Sequence, residues 1–202
     1  MLKDLLISKV RVKIIELFFS EPRQMYHVRE LVRKTGEEIN AVRRELSHLE
    51  QVGLLKKEER GNRLYYWVRR DYPLFHDLVS IVAKTTGFGA LLIKSRGKLG
   101  KVNLIMFSRR FLNGLPRIDP ADVDILLVGE IVLSELASLV RTEEAKTEKE
   151  INYTVMTTEE LKFRRIRRDP FLQKILLSSR VMIFGDQEDL VGHGVPSTES
   201  SP

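Results

Sequence analysis

The chain has 202 residues, with 34 Lys/Arg against 28 Asp/Glu for a formal charge of +6, and 43% of its residues are hydrophobic. That length holds one large or two small domains, each able to bury its own core. With no cysteine, disulfides and thiolate metal sites are excluded, and the composition suits a reducing cytoplasm.

Met1–Ser20 is amphipathic and charged throughout, so no signal peptide is expected. No apolar run approaches the roughly 20 residues needed to cross a bilayer, and no membrane is expected as a partner. The charge is uneven: residues 1–86 carry 17 Lys/Arg against 12 Asp/Glu, and residues 87–202 carry 17 against 16. The positive excess therefore sits in the first part of the chain, where attraction to phosphate would use it.

Leu2–Ser20 reads as a first helix, because Leu5, Leu6, Val10, Ile14, Ile15, Leu17 and Phe18 form a wide apolar face. Ser20-Glu21-Pro22 ends it. Met25–His27 is a connector, and His27–Lys34 is a brief second helix with Val28, Leu31 and Val32 inward. His27 and His48 lack metal-ligand spacing, and His27 is expected to serve at the helix start or in the core rather than as a ligand. Thr35-Gly36 supplies a tight turn. Glu37–Gln51 is a third helix, with Ile39, Val42, Leu46 and Leu49 at helical spacing on one face. Its other face carries Asn40, Arg43, Arg44, Ser47 and His48, and Gly53 stops it.

LLKKEERGNRLYYWV then reads as a hairpin with a charged turn at Glu59-Arg60-Gly61-Asn62 and an aromatic returning strand. Helix, glycine and basic-tipped hairpin is the order of a winged helix-turn-helix. Asn40, Arg43, Arg44, Ser47 and His48 are the expected contacts to double-stranded DNA in the major groove, and Arg60, Asn62 and Arg63 those of the wing. Leu74–Thr85 is a further helix, suited to packing on the first and to forming a homodimer. The composition break at Thr85–Gly89 sets the expected boundary between domains 1–86 and 87–190.

Residues 5–86 resemble the winged-helix domain of arsenical-resistance-repressor-type transcription regulators, notably in AVRRELSHLEQVGLLKKEERGNRLYYWV. The resemblance implies a dimer with its third helix in the major groove. Metal-sensing forms of that family use cysteine and histidine clusters. This chain has no thiols, so that mode of sensing is not expected, although a small-molecule or nucleotide effector is.

The second part reads as a basic amphipathic helix at Ala90–Gly100, a strand at Val102–Phe107, a polar loop at Ser108–Ala121 and a strand at Val123–Gly129. A helix at Leu133–Glu144 and a strand at Ile151–Met156 follow. Thr157-Thr158-Glu159-Glu160 is a capping-box signal for one or two helices through Leu161–Leu177, and Val181–Phe184 is a last strand. The segment from residue 191 on, ending GHGVPSTESSP, is small and polar and is expected to be a disordered tail. The expected class is α+β, a winged helix-turn-helix followed by a small α/β domain with a mixed sheet.

Strand, loop, Asp122-Val123-Asp124-Ile-Leu-Leu-Val-Gly, helix and strand resemble a minimal nucleotidyltransferase of the DNA polymerase beta superfamily over about residues 90–185. That resemblance implies that Asp122 and Asp124 hold magnesium ions, that a Gly-Ser pair before them admits phosphates, and that a later strand supplies a third carboxylate. Ser108 and Arg109 would then face the nucleotide. This sequence has Phe107-Ser108 for Gly-Ser and Asn152 for the third carboxylate, with Glu150 the nearby substitute. The departures predict an inactive domain without a resident cofactor, kept for assembly or ligand sensing. The alternative is an active magnesium-dependent enzyme using Asp122, Asp124 and Glu150, directed by its winged helix. Two basic runs, Arg109-Arg110 with Arg117 and Arg164-Arg165 with Arg167-Arg168, are read as solvated faces or as extra phosphate contacts.

Overall fold

The structure is a computed structural model describing residues 8–192. The part of the predicted first helix at residues 2–7 and the predicted tail from His193 on lie outside the described residues. The class is α+β, with two sheets among the described residues.

Two compact units are present. One runs through Leu92 and includes Arg110–Pro116; the other comprises Ile93–Arg109 and the chain from Arg117 on. The division thus falls after Leu92, rather than at the composition break.

The first unit contains α1 (Lys9–Ser20), β1 (Tyr26–His27), α2 (Val28–Thr35), α3 (Ile39–Gln51), β2 (Leu55–Arg60), β3 (Arg63–Val68) and α4 (Phe75–Thr85). Its antiparallel sheet has the order β1-β3-β2. This is the winged helix-turn-helix order. Ile14, Phe18, Leu31, Val42 and Leu46 are wholly buried, because every helix turns its apolar face to one common core. Burying a leucine or isoleucine contributes about 1.5–3 kcal/mol, so this small set carries much of the unit's stability.

Residues predicted as connector and helix divide differently from the expectation. Tyr26 and His27 pair with Tyr66 and Tyr65 as a short strand, and α2 begins at Val28. His27 Nδ1 accepts a hydrogen bond from the Glu30 N–H at 3.4 Å, which makes His27 the cap of α2. Gly36 then takes φ +66° and donates its N–H to the Val32 carbonyl, ending α2 in the left-handed conformation that glycine enters at little cost. The start of α3 also differs: Glu38 caps it, accepting from the Asn40 and Ala41 N–H groups at 2.8 and 2.9 Å. The wing turn is shorter than predicted, since Glu59 and Arg60 stay in the ladder and Arg60 faces Arg63.

The chain continues through α5 (Gly87–Lys94), α6 (Arg96–Leu99), β4 (Gly100–Ser108), α7 (Arg109–Leu112), β5 (Ile125–Ile131), α8 (Leu133–Thr147), β6 (Tyr153–Met156), α9 (Thr158–Ile166), α10 (Pro170–Leu177), β7 (Arg180–Phe184) and α11 (Gln187–Val191). The second sheet runs β6-β5-β4-β7; β5 and β6 are parallel and the other pairs antiparallel. The expected mixed sheet is therefore present. Leu104, Met106, Leu126 and Val128 bury one face beneath Leu161, Leu172 and Leu190.

The expected helix at 90–100 is instead two helices, and Gly100 already belongs to β4. α11 is an element that the sequence does not signal, and it still contains Val191, the first residue of the predicted tail. Thr157 caps α9 by accepting from the Glu160 N–H at 3.0 Å. The Glu160 carboxylate, however, accepts from Arg164 at 2.9 Å, so its ion pair lies along the helix instead of at the cap.

Candidate functional site

In the first unit the polar face of α3 is presented intact. Val42, Leu46 and Leu49 are buried, while Asn40, Arg43, Arg44, Ser47 and His48 are all exposed. Among the described residues, the side chains of Arg43 and Arg44 make no ion pair or hydrogen bond. The acid on the same helix that faces inward is committed elsewhere: Glu45 accepts from Ser8 Oγ at 2.6 Å and Arg11 Nε at 2.8 Å. Burial alone would raise the Glu45 carboxyl, but these two donors hold it below the ordinary carboxylate range. The contact also ties α1 to α3, so the exposed face sits on an anchored helix.

The wing carries its polar residues at the tip. Arg60, Asn62 and Arg63 are exposed. Arg60 pairs with Glu58 at 3.0 Å and its guanidinium lies 5.8 Å from the Tyr65 ring centre. Arg63 has no side-chain partner among the described residues. Arg60 of the wing is thus paired with an acid, whereas Arg43 and Arg44 of α3 and Arg63 of the wing make no ion pair among the described residues.

In the second unit, four residues fall in a row at one end of the sheet. Asn152 lies just before β6, Asp124 just before β5, Ser108 at the end of β4 and Arg180 at the start of β7. Backbone bonds stitch the row: Asp124 N–H donates to Asn152 O, and Ser108 N–H to Asp124 O. Arg109 N–H donates to Ser179 O, which fixes the backbone beside this row. Ser108 is buried and Phe107 fully so, packed inside the sheet.

The strand expected from Val123 starts later, and both Asp122 and Asp124 precede it. β5 begins only at Ile125, and Asp122 lies in the preceding turn. Asp122 Oδ2 closes that turn by accepting from the Ile118 and Asp119 N–H groups at 3.0 and 2.9 Å. Its Oδ1 pairs with Lys174 Nζ at 2.8 Å, and Asp119 pairs with the same ammonium at 2.7 Å. Lys174, first, and the two backbone donors hold the Asp122 carboxyl below its ordinary range. Asp124 is buried; its Oδ2 accepts from Arg117 Nε at 2.9 Å and from the Asn152 N–H at 3.0 Å.

Asn152 acts as a clasp. Its Nδ2 donates to the Asp122 and Pro120 carbonyls at 2.9 and 3.3 Å. Glu150 lies outside β6, with its side chain 83% exposed and 3.6 Å from Arg117. The strand expected from Ile151 starts only at Tyr153, so neither Glu150 nor Asn152 lies within it. Arg117, a candidate phosphate contact by sequence, is the counter-ion of Asp124 and also donates to the Glu150 carbonyl at 2.9 Å.

These residues do not fit the magnesium pair that the nucleotidyltransferase resemblance implies. A magnesium ion needs several free oxygen ligands in near-octahedral array. Here each carboxylate is engaged by a side-chain cation and by backbone N–H donors. Among the described residues no group of three or more His, Asp or Glu is placed to hold a metal ion.

The other basic residues are largely spoken for. Arg110 donates to the Pro116 carbonyl, Arg164 pairs with Glu160 and Asp169, and Arg167 lies 4.4 Å from the Phe163 ring centre. Sequence reasoning missed Lys174, because its partners stand 55 residues away for Asp119 and no local pattern marks such a pair. It also missed Arg180, whose guanidinium is pulled below its ordinary range by burial.

No family profile matches the sequence, and no curated protein does. Among solved structures, the chain is similar to the one described as the crystal structure of M. tuberculosis Rv0081. The two are 22% identical, with 46% of this chain and 87% of that chain covered at a TM-score of 0.34. A likeness at that level supports no assignment of function.

Proposed function

We propose that this chain is a sequence-specific, DNA-binding transcriptional regulator that acts as a homodimer in the cytoplasm. Its second unit is a nucleotidyltransferase-like domain without activity, used for assembly or ligand sensing. One observation carries the reading: α3 holds Asn40, Arg43, Arg44 and Ser47 exposed on a face whose arginines make no ion pair or hydrogen bond among the described residues. A guanidinium left unpaired on an anchored helix is available for bidentate bonding to guanine, and its neighbours for other base edges. The wing adds Arg63, suited to phosphate.

The test separates base reading from phosphate attraction. On a site selected from random duplexes, Arg44→Ala is expected to cost about 1–3 kcal/mol and to relax the preferred sequence. Arg63→Ala is expected to weaken all duplexes alike and to lower the dependence on salt. A double variant that binds the selected site as tightly as wild type removes the groove assignment.

The inactive status of the second unit rests on the acid pair. Phosphoryl-type transfer depends on metal-borne charge and positioning, and Asp122 and Asp124 are neutralised by Lys174 and Arg117. Incubation with labelled nucleoside triphosphates and magnesium or manganese is expected to leave no label on protein, DNA or RNA. Incorporation that disappears in Asp124→Ala would restore the enzyme reading.

A further inference from the structure

The outer face of the first unit's sheet holds a cleft that the DNA-reading residues do not explain. Side chains alternate along β3, so Leu64, Tyr66 and Val68 turn toward the core while Arg63, Tyr65 and Trp67 turn outward. Trp67 is the one tryptophan of the chain. It lines an open cleft of about 320 Å³ together with the apolar Pro22, Met25 and Val68 and the charged Arg23, Arg60, Arg70 and Glu58. That volume lies at the lower end of the range in which small ligands bind.

The charge in this cleft is uncompensated. Three arginines and one glutamate line it, a net of two positive charges. Glu58 is taken by Arg60 at 3.0 Å. The acid next to Arg70 in sequence, Asp71, is held by Arg69 at 2.9 Å, and that pairing pulls its carboxyl down to about 2. The acid nearest Arg23 in sequence, Glu21, accepts from the Tyr26 hydroxyl at 2.6 Å and does not line the cleft. Glu59 lies on the opposite face of β2 from Glu58 and Arg60, by the same alternation. Arg23 and Arg70 are both exposed and make no side-chain ion pair or hydrogen bond among the described residues.

We infer that this cleft binds a nucleoside monophosphate, with the base against Trp67 and the phosphate between Arg23 and Arg70. The chemistry matches on each side. A phosphomonoester carries close to two negative charges at neutral pH, which balances the net charge of the lining. Guanidinium forks suit its oxygens. A half-buried indole with apolar neighbours accepts a planar ring, and base–aromatic stacking does not discriminate strongly among bases. Of the lining, Arg60 alone belongs to the wing set; Arg23, Arg70 and Trp67 belong to neither DNA set, so variants at these three test the site apart from duplex binding.

Because no other tryptophan is present, the indole emission of the full-length chain reports on the site directly. Titration with AMP or GMP is expected to quench it, with AMP binding more tightly than either adenosine or inorganic phosphate. Arg23→Ala and Arg70→Ala should each weaken AMP by about tenfold, the loss of one charge-assisted contact, while circular dichroism melts stay unchanged. Trp67→Ala, followed by calorimetry, should weaken AMP but leave inorganic phosphate as it was. The inference is overturned if AMP and GMP give neither quenching nor heat at millimolar concentration. Equal affinity for adenosine and AMP, or quenching by oligonucleotides but not by mononucleotides, overturns it as well.

Discussion

Arg117 reaches Asp124 with Nε and Nη2, both at 2.9 Å, and its own side chain is only 21% exposed. Removing one member of such a pair leaves a charge in a place where water cannot repay its hydration. Arg117→Ala is therefore expected to lower stability by about 3 kcal/mol, read as a fall in thermal midpoint. Asp124→Asn in the same chain should recover much of that loss, since the amide oxygen can still accept from the Asn152 N–H. If the single and the double variant melt alike, the pair does not carry the load assigned to it. Magnesium or chelator should leave the wild-type midpoint where it is, because the carboxylates already have their cations. A clear upward shift with magnesium would contradict the misfit. At this scale Asn152 is legible in hindsight: a neutral amide where a third carboxylate is expected can donate, and here it donates to two backbone carbonyls.

At the scale of elements, two glycines hold geometry that no other residue supplies cheaply. Gly36 turns the chain between α2 and α3 at φ +66°, in otherwise open space. Gly36→Ala then meets only the left-handed backbone penalty, about 1–2 kcal/mol, and Gly36→Asn less. Gly129 is different: at φ +144° a Cβ there would lie 2.1 Å from the Lys101 carbonyl oxygen, within the β4–β5 ladder. The neighbour is backbone and cannot yield, so Gly129→Ala is expected to destabilise more than Gly36→Ala. Comparative thermal unfolding of the two variants checks the order, and a smaller effect at Gly129 would contradict it. The helices themselves are readable from their spacing; the boundaries that differ do so where a cap decides, as with His27 for α2 and Glu38 for α3.

At the scale of the whole molecule, several carboxyls are held below their ordinary range: Asp119 and Asp122 chiefly by Lys174, Asp169 by the Leu172 N–H, and Glu45 by Ser8 and Arg11 against its burial. A carboxyl with a depressed folded-state pKa contributes stability that is fully present above the unfolded value and lost as pH falls through the folded one. Lys174 is raised by the same two aspartates, so its share persists until pH climbs past the usual lysine range. The thermal midpoint is thus expected to be flat from about pH 5 to 9 and to fall below about pH 4. A midpoint that rises on acidification would reverse the sign. Assembly belongs to this scale too. Leu74 and Ile81 remain exposed beside the buried face of α4, and a two-fold dimer that covers them would set two recognition helices on one side of a duplex. Sedimentation of the chain at micromolar concentration is expected to show a dimer; a monomer would contradict this arrangement.

Periodicity and turn chemistry are local properties, and so the helices of the first unit, the hairpin and the polar face of α3 could be read from sequence alone. Ion pairing is not local. Whether Asp122 and Asp124 faced a metal or a protein cation depended on Arg117 and on Lys174, brought close only when α10 packs beneath the sheet. Likewise the Trp67 cleft joins residues on either side of α2 and α3, and its charge emerges only once each neighbouring acid has found another partner. A sequence shows which charges exist; the folded chain decides which of them remain unpaired, because Coulomb energy depends on distance in space and on exclusion of water.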